Sequence, residues 1–190
     1  MAPITPSQTV GPFWHYGLEW DQGETVAGPD VPGEHILVEG RVFDGDGAPV
    51  TDAMIEVWQA DAEGRYPHPD DPTGSPEPLS QFRGFGRTAT DSDGRFRFRT
   101  IKPGAVRGPG NALQAPHLLI GVFARGLLNR LYCRMYFPDE PLNDTDPVLG
   151  LVDEARRATL VAGRDSGDAT PAYRFDIRLR GENETVFFEC

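Results

Sequence analysis

A chain of 190 residues with ordinary shares of apolar (38%) and charged (25%) residues is long enough for one domain with a buried core, and its composition is not that of a disordered segment. A formal net charge of −11 argues against nucleic acid or an anionic membrane as the main partner. The two cysteines, Cys133 and Cys190, are too few for a disulfide framework and read as reduced thiols of a cytosolic protein.

The first residues, "MAPITPSQTVGPFWHYG", have no basic start and no continuous apolar run, so a signal peptide is not expected. No stretch approaches the roughly 20 apolar residues of a membrane span, and a cytoplasmic protein is the expectation. Residues 1–33 are rich in Gly and Pro but hold Phe13, Trp14, Tyr16 and Trp20; they read as an arm lying across a surface, its own or a partner's, ahead of a domain spanning 34–190. Strand patterning starts with "EHILVEGRVF" (34–43), followed by the turn "DGDG" (44–47) and "AMIEVWQA" (53–60). Residues 67–86 form a long Pro/Gly loop, of the kind that is functional or mobile. After the turn "DSDG" (91–94), "GRFRFRT" (94–100) puts Phe96 and Phe98 on one face and Arg95, Arg97 and Arg99 on the other. "HLLIGVFA" (117–124) and "LYCRMYF" (131–137) come next. One helix is predicted from about Pro147 to Ala162, with Asp146 as N-cap and Pro147 at the first position. "AYRFDIRLR" (172–180) and "TVFFE" (185–189) complete the strands. Strands joined by tight turns, without helices between them, indicate a mostly β chain: an antiparallel β-sandwich with an extended N-terminal arm and one appended helix.

No Ser/His/Asp set, phosphate-cradling glycine loop or CxxC spacing stands out. His15, His35 and His68 are scattered and read as surface or structural residues. His117, opening an apolar strand, reads as a core or sheet-end histidine hydrogen-bonded to backbone, and Tyr66 as a packing residue or loop anchor. Arg125 in "FARG" ends a strand, where it either points into a cleft or sits on the surface in a salt bridge. In "TVGP" (9–12), Gly11 lets backbone approach a ligand closely and Pro12 sets the chain direction; a simple surface turn is the alternative.

The stretches "TPSQTVGPFWHYGL" (5–18), "PGEHILVEGRVFDGDG" (32–47), "EVWQADAEGRY" (56–66), "FGRTATD" (85–91), "APHLLIGVFARG" (115–126) and "AYRFDIRLRGENETVFF" (172–188) run almost end to end. In that order they resemble the intradiol ring-cleavage dioxygenases. The resemblance implies a sandwich fold shared by homologous alpha and beta chains, paired so that each active site lies between them. It also implies that the beta-like chain carries a non-haem Fe(III) held by two tyrosinates and two histidines, anionic phenolate oxygens suiting a hard cation. Matched position by position, the first tyrosine falls on Tyr66, while the second has no counterpart in "KPGAVRGPG" (102–110). The histidine pair falls on His117 and Leu119, and an arginine preceding that pair is replaced near "LQAP" by Gln114 or a neighbour. Tyr66, His117 and Leu119 are therefore vestigial metal positions. No catalytic residue or metal ligand is expected within this chain alone; the iron is expected on a homologous beta subunit. By the same resemblance Thr9, Gly11, Pro12 and Arg125 line the substrate side of the shared pocket. There an aromatic catecholate, protocatechuate by analogy, would be opened by O2 to 3-carboxy-cis,cis-muconate. The alternative is a β-sandwich binding or scaffold module without a catalytic role; a self-sufficient homomeric dioxygenase is disfavoured by Leu119 and the missing tyrosine.

Overall fold

The computed structural model describes residues 9–71, 81–108, 110, 112–165 and 170–189. The first sheet is built around β1 (His35–Phe43), whose positions alternate between buried and half-buried along its whole length. Ile36, Val38 and Val42 point inward. Gly40 shares that face, and a Cβ there would stand 1.8 Å from the Phe175 carbonyl oxygen, so only glycine lets the two segments approach. Numbering the strands in chain order makes the partner Arg95–Ile101 β4; it pairs antiparallel with β1, Val38 opposite Phe98. Phe96 and Phe98 are buried and Arg95, Arg97 and Arg99 exposed, as the two-residue alternation requires.

The second sheet has the order β3-β2-β7-β8, with β2 (Met54–Trp58), β3 (Phe85–Ala89), β7 (His117–Phe123) and β8 (Leu131–Tyr136), every neighbouring pair antiparallel. Its inner face presents Ile55, Val57, Leu118, Ile120, Val122, Cys133 and Met135, which join Ile36, Val38, Phe96, Phe98, Tyr173 and Phe175 of the first sheet in one core. Two sheets sharing an apolar interior make the expected sandwich. Cys133 is a free thiol within this core; Cys190 lies outside the described residues. A two-stranded ribbon, β5 (Val106–Arg107) with β6 (Leu113–Gln114), sits apart from both sheets.

Some expectations need correction. The stretch 172–180 is split into β10 (Ala172–Arg174) and β11 (Ile177–Arg178), and both pieces run parallel to β1. The break is held by Asp176, whose Oδ1 accepts the Arg41 N–H at 3.0 Å, and a long connection after β8 lets the chain return in the same direction as β1. The short β9 (Gly163–Asp165) pairs antiparallel with β10. β3 is a strand that patterning does not predict, because "FGRTA" lacks apolar alternation and is ordered by its pairing with β2. "TVFFE" makes a single bridge, Phe188 with Tyr132, rather than a strand.

The predicted helix is real but interrupted. A 3-10 turn (Leu149–Leu151), the helix α1 (Glu154–Arg157) and a second 3-10 turn (Ala158–Leu160) replace one continuous rod. Asp146 accepts the Val148 and Leu149 N–H groups, but the first turn starts at Leu149 with Val148 at its N-cap, so the expected start at Asp146 and Pro147 is shifted two residues on. Val152 is extended, and Asp153 then starts α1 by accepting the Ala155 N–H. Among the described residues no helix is long and apolar enough to cross a membrane.

The arm, entered at Thr9, is fastened at Trp14, which is buried and directs its Nε1–H at the Asp52 carbonyl, 3.4 Å away. Phe13 (74% exposed) and Tyr16 (88%) face outward and stack on each other with ring centroids 6.4 Å apart. Further along, Thr25 bridges Arg99, Ala27 bridges Phe82, and Val26 and Val31 are buried, so the second half of the arm packs into the body of this chain.

Candidate functional site

The outer face of the second sheet carries most of the side chains with chemical potential. Alternation puts Glu56, Trp58, Phe85, His117, Leu119, Tyr132, Arg134 and Tyr136 on it. Tyr66 arrives from the loop after β2 and stacks on Trp58, centroids 5.8 Å apart and planes 4° from parallel. Its backbone N–H donates to Asp71 at 2.6 Å. Burial pushes the phenol's pKa up, with the positive charge of Arg134 acting against it. Tyr66 is therefore a packed phenol that burial keeps neutral.

His117 is 4% exposed, and its Nδ1 lies 2.7 Å from the Ala115 carbonyl. Burial above all, helped by the Arg134 charge, lowers its pKa to about 4, so the ring is neutral near pH 7. Leu119 stands two residues on, directly between Trp58 on β2 and Arg134 on β8. Gln114, buried, accepts a hydrogen bond from Arg134 Nη1 at 2.7 Å. Lys102, at the start of the segment where a second tyrosine is missing, pairs with Glu140 (2.7 Å) and Asp139 (3.3 Å).

A ferric ion, the metal on which the family depends, needs anionic donors. These side chains offer a neutral phenol, a neutral imidazole, an alkyl group and a guanidinium cation. The residues present do not fit the metal. Among the described residues no group of three His, Cys, Asp or Glu side chains could hold a metal ion either. The other histidines are engaged separately: His15 with Glu19 (3.0 Å), His35 with the Val31 carbonyl (2.9 Å) and His68 with the Asp70 N–H (3.2 Å).

The second group of candidates gathers at one end of the same sheet. Thr9 and Val10 close a cavity of about 300 Å³ with Phe123, Leu127, Asn129 and Arg130. Gly11 has φ +70° and ψ 179°, a conformation that disfavours any side chain although the space around it is open. Pro12 then opens a short 3-10 helix (Pro12–Tyr16). Arg125 does not line this cavity. It is 72% exposed, with Nε 3.1 Å from Asp52 Oδ2. Asp52 is nevertheless common ground, because its carbonyl faces Trp14 of the arm while its carboxylate pairs with Arg125.

Sequence reasoning misses three charged residues. Glu56, 8% exposed, accepts from Arg87 Nε at 2.8 Å and faces Arg130 at 3.4 Å. Arg130 lies over the Tyr132 ring at 3.9 Å, and with Trp58, Phe85 and Leu119 these residues wall a groove of about 250 Å³. The signal that could have found Glu56 and Arg87 is parity, since each occupies an outer position of its strand. A larger depression, about 540 Å³, lies on the first sheet, but its Arg95, Arg97 and Arg174 are paired with Asp93, Glu39 and Asp176. It is solvated charged surface.

A sandwich of this topology, with a tyrosine and a histidine left on the outer face of its second sheet, defines a class. The dioxygenase family model matches residues 10–181, and the chain belongs to the intradiol dioxygenases. It is 45% identical to the protocatechuate 3,4-dioxygenase alpha chain of Pseudomonas putida, over 100% of this chain and 98% of that one. It is 40% identical to the beta chain of Burkholderia cepacia, over 97% of this chain and 79% of that one. Among solved structures, the dioxygenase domain of a dioxygenase carbohydrate-binding protein fusion from Streptomyces sp. SirexAA-E superposes with a TM-score of 0.64 at 30% identity, covering 94% and 99% of the two chains.

Proposed function

We propose that this chain is the alpha-type subunit of a cytoplasmic protocatechuate 3,4-dioxygenase, paired with a homologous beta chain that holds the iron. One observation carries the reading: near full-length likeness to alpha chains coincides with a Tyr66 and His117 donor set, beside Arg134, that suits no ferric ion. When bound by the partner, the iron supplies a centre on which a catecholate is activated toward O2. This chain's own part is positional and electrostatic. Thr9, Gly11 and Pro12 offer a glycine-turned backbone edge against which a flat ring can lie. Arg125 offers a guanidinium that is weakly committed to Asp52 and able to fork a carboxylate or steady catecholate charge. Covering this end of the sheet with the partner chain removes water from that pair and strengthens the interaction.

The test is co-expression with a partner chain that carries two suitable tyrosines and a His-x-His strand, followed by an assay on protocatechuate and on catechol. The complex should consume O2 with protocatechuate while this chain alone does not. Ring cleavage by the lone chain, or equal activity of the partner without it, would overturn the assignment and return this chain to a scaffold role.

A further inference from the structure

A cation stands beside His117 and Leu119 on the neighbouring strand. Register places Arg134 directly opposite Leu119, and Tyr136 directly opposite His117. Side chains so paired start about 4.5–5.5 Å apart at Cβ. The guanidinium is held from one side, Nη1 donating to Gln114 Oε1 at 2.7 Å, while the neighbouring Tyr136 hydroxyl donates to Asp146 Oδ1 at 3.1 Å. Among the described residues no carboxylate forms an ion pair with Arg134, although the protein carries 29 acidic residues against 18 Lys and Arg. Its charge is felt by Tyr66, His117 and Tyr136 alike. Three groups around one half-buried guanidinium show where the positive charge of this pocket resides.

We propose that Arg134 stands in for the metal as the fixed positive charge of the vestigial pocket and thereby bars a metal ion from it. The inference rests on this chain's residues alone and holds whether or not the partner carries iron. Its consequence is specific. Restoring a second histidine at position 119 sets an imidazole against the guanidinium, and a divalent ion gripped by His117 and the new histidine would meet a like charge at close range. Ligand replacement by itself is therefore insufficient; removal of the cation is also required.

The experiment uses the full chain expressed alone, with Co2+ as the probe, followed by equilibrium dialysis, visible d–d absorption and the shift in thermal unfolding. Leu119→His should bind Co2+ weakly. Leu119→His/Arg134→Gln and Leu119→His/Arg134→Met should each take up about one ion per chain, more than about a hundredfold more tightly than the single variant. Leu119→His/Arg134→Lys, which keeps the charge but not the fork, should stay metal-poor. A simple loss of packing would not separate the lysine variant from the neutral ones. The proposal is overturned if Leu119→His binds Co2+ as tightly as the neutral double variants. It is equally overturned if those variants, folded by near-UV circular dichroism, bind none. Should the methionine variant fail to fold, the shape-retaining glutamine variant decides the question in the same way.

Discussion

Burial makes His117 a pH-sensitive element of the fold. Its pKa is about 4 in the folded chain against 6.5 when exposed, because the imidazolium would be stripped of water beside Arg134. Below pH 6.5 the unfolded chain binds more protons than the folded one. The stabilising contribution of the neutral ring is therefore complete above that pH and is lost as the pH falls toward 4. The full window amounts to about 3 kcal/mol. His117→Gln should flatten thermal unfolding across this range, and a slope unchanged by the substitution would show that the ring is not buried neutral. At Asp139 burial raises the carboxyl's pKa, but its own backbone hydrogen bond and Lys102 outweigh that and hold it below the usual range. Its contribution is likewise lost on acidification, at lower pH, so the two separate. Arg125 differs in kind. An exposed ion pair contributes about 0–1 kcal/mol, so Arg125→Ala should barely move the unfolding midpoint. In the alpha–beta complex the same change should lower kcat/KM for protocatechuate by roughly ten- to a hundredfold, the worth of one charge-assisted hydrogen bond of about 1.5–3 kcal/mol. If the carboxylate is what it reads, catechol turnover should suffer less; unchanged kinetics for both substrates would leave Arg125 an ordinary surface residue.

At the scale of elements, Asp146 ties the segment after β8 to the start of β7. Its carboxylate accepts the N–H groups of Ala115, Val148 and Leu149 and the Tyr136 hydroxyl, and the residue is 2% exposed. Asp146→Ala would leave four donors short of a partner and should cost about 3–5 kcal/mol in urea unfolding. Asp146→Asn retains Oδ1 and should cost less; a loss below about 1 kcal/mol for the alanine variant would mean that the turn is not held by this residue. The arm gives the opposite expectation. Its anchor, Trp14, and the buried Val26 and Val31 all lie beyond residue 12. Deleting residues 1–12 should therefore change thermal unfolding little while turnover of the complex falls sharply. An arm that merely decorates the surface would leave both unaltered. Alternation and Asp/Gly turns make the long strands legible in the sequence. The interrupted helix is not legible there, because Asp146 and Asp153 both read as good caps, and only the structure shows that Asp153 starts the α-helix while Val152 before it is extended.

For the whole molecule, the donor set predicts a colourless protein. Purified without a partner, the chain should hold no stoichiometric iron, since one neutral phenol and one imidazole beside a guanidinium give neither the charge nor the number of ligands that Fe(III) requires. Elemental analysis and the visible spectrum check this; a red-brown solution with about one iron per chain would contradict the assignment of the metal to the partner.

The sequence by itself determined which faces are apolar and where the turns fall. Each is a local property: a two-residue repeat such as Phe96 and Phe98, or an Asp/Gly pair. Only the tertiary structure decided which strands are neighbours. That β10 and β11 run parallel to β1, and that β3 exists at all, depends on pairing partners far away in the chain, whose direction no local pattern encodes. The same holds for the sites. Arg134 lies 15 residues from Leu119 in the chain and directly opposite it in the sheet, and Asp52 joins Trp14 to Arg125 although the three are far apart in sequence. Side-chain chemistry is written residue by residue, but the charge a pocket contains is set by what the folded backbone brings across from the next strand.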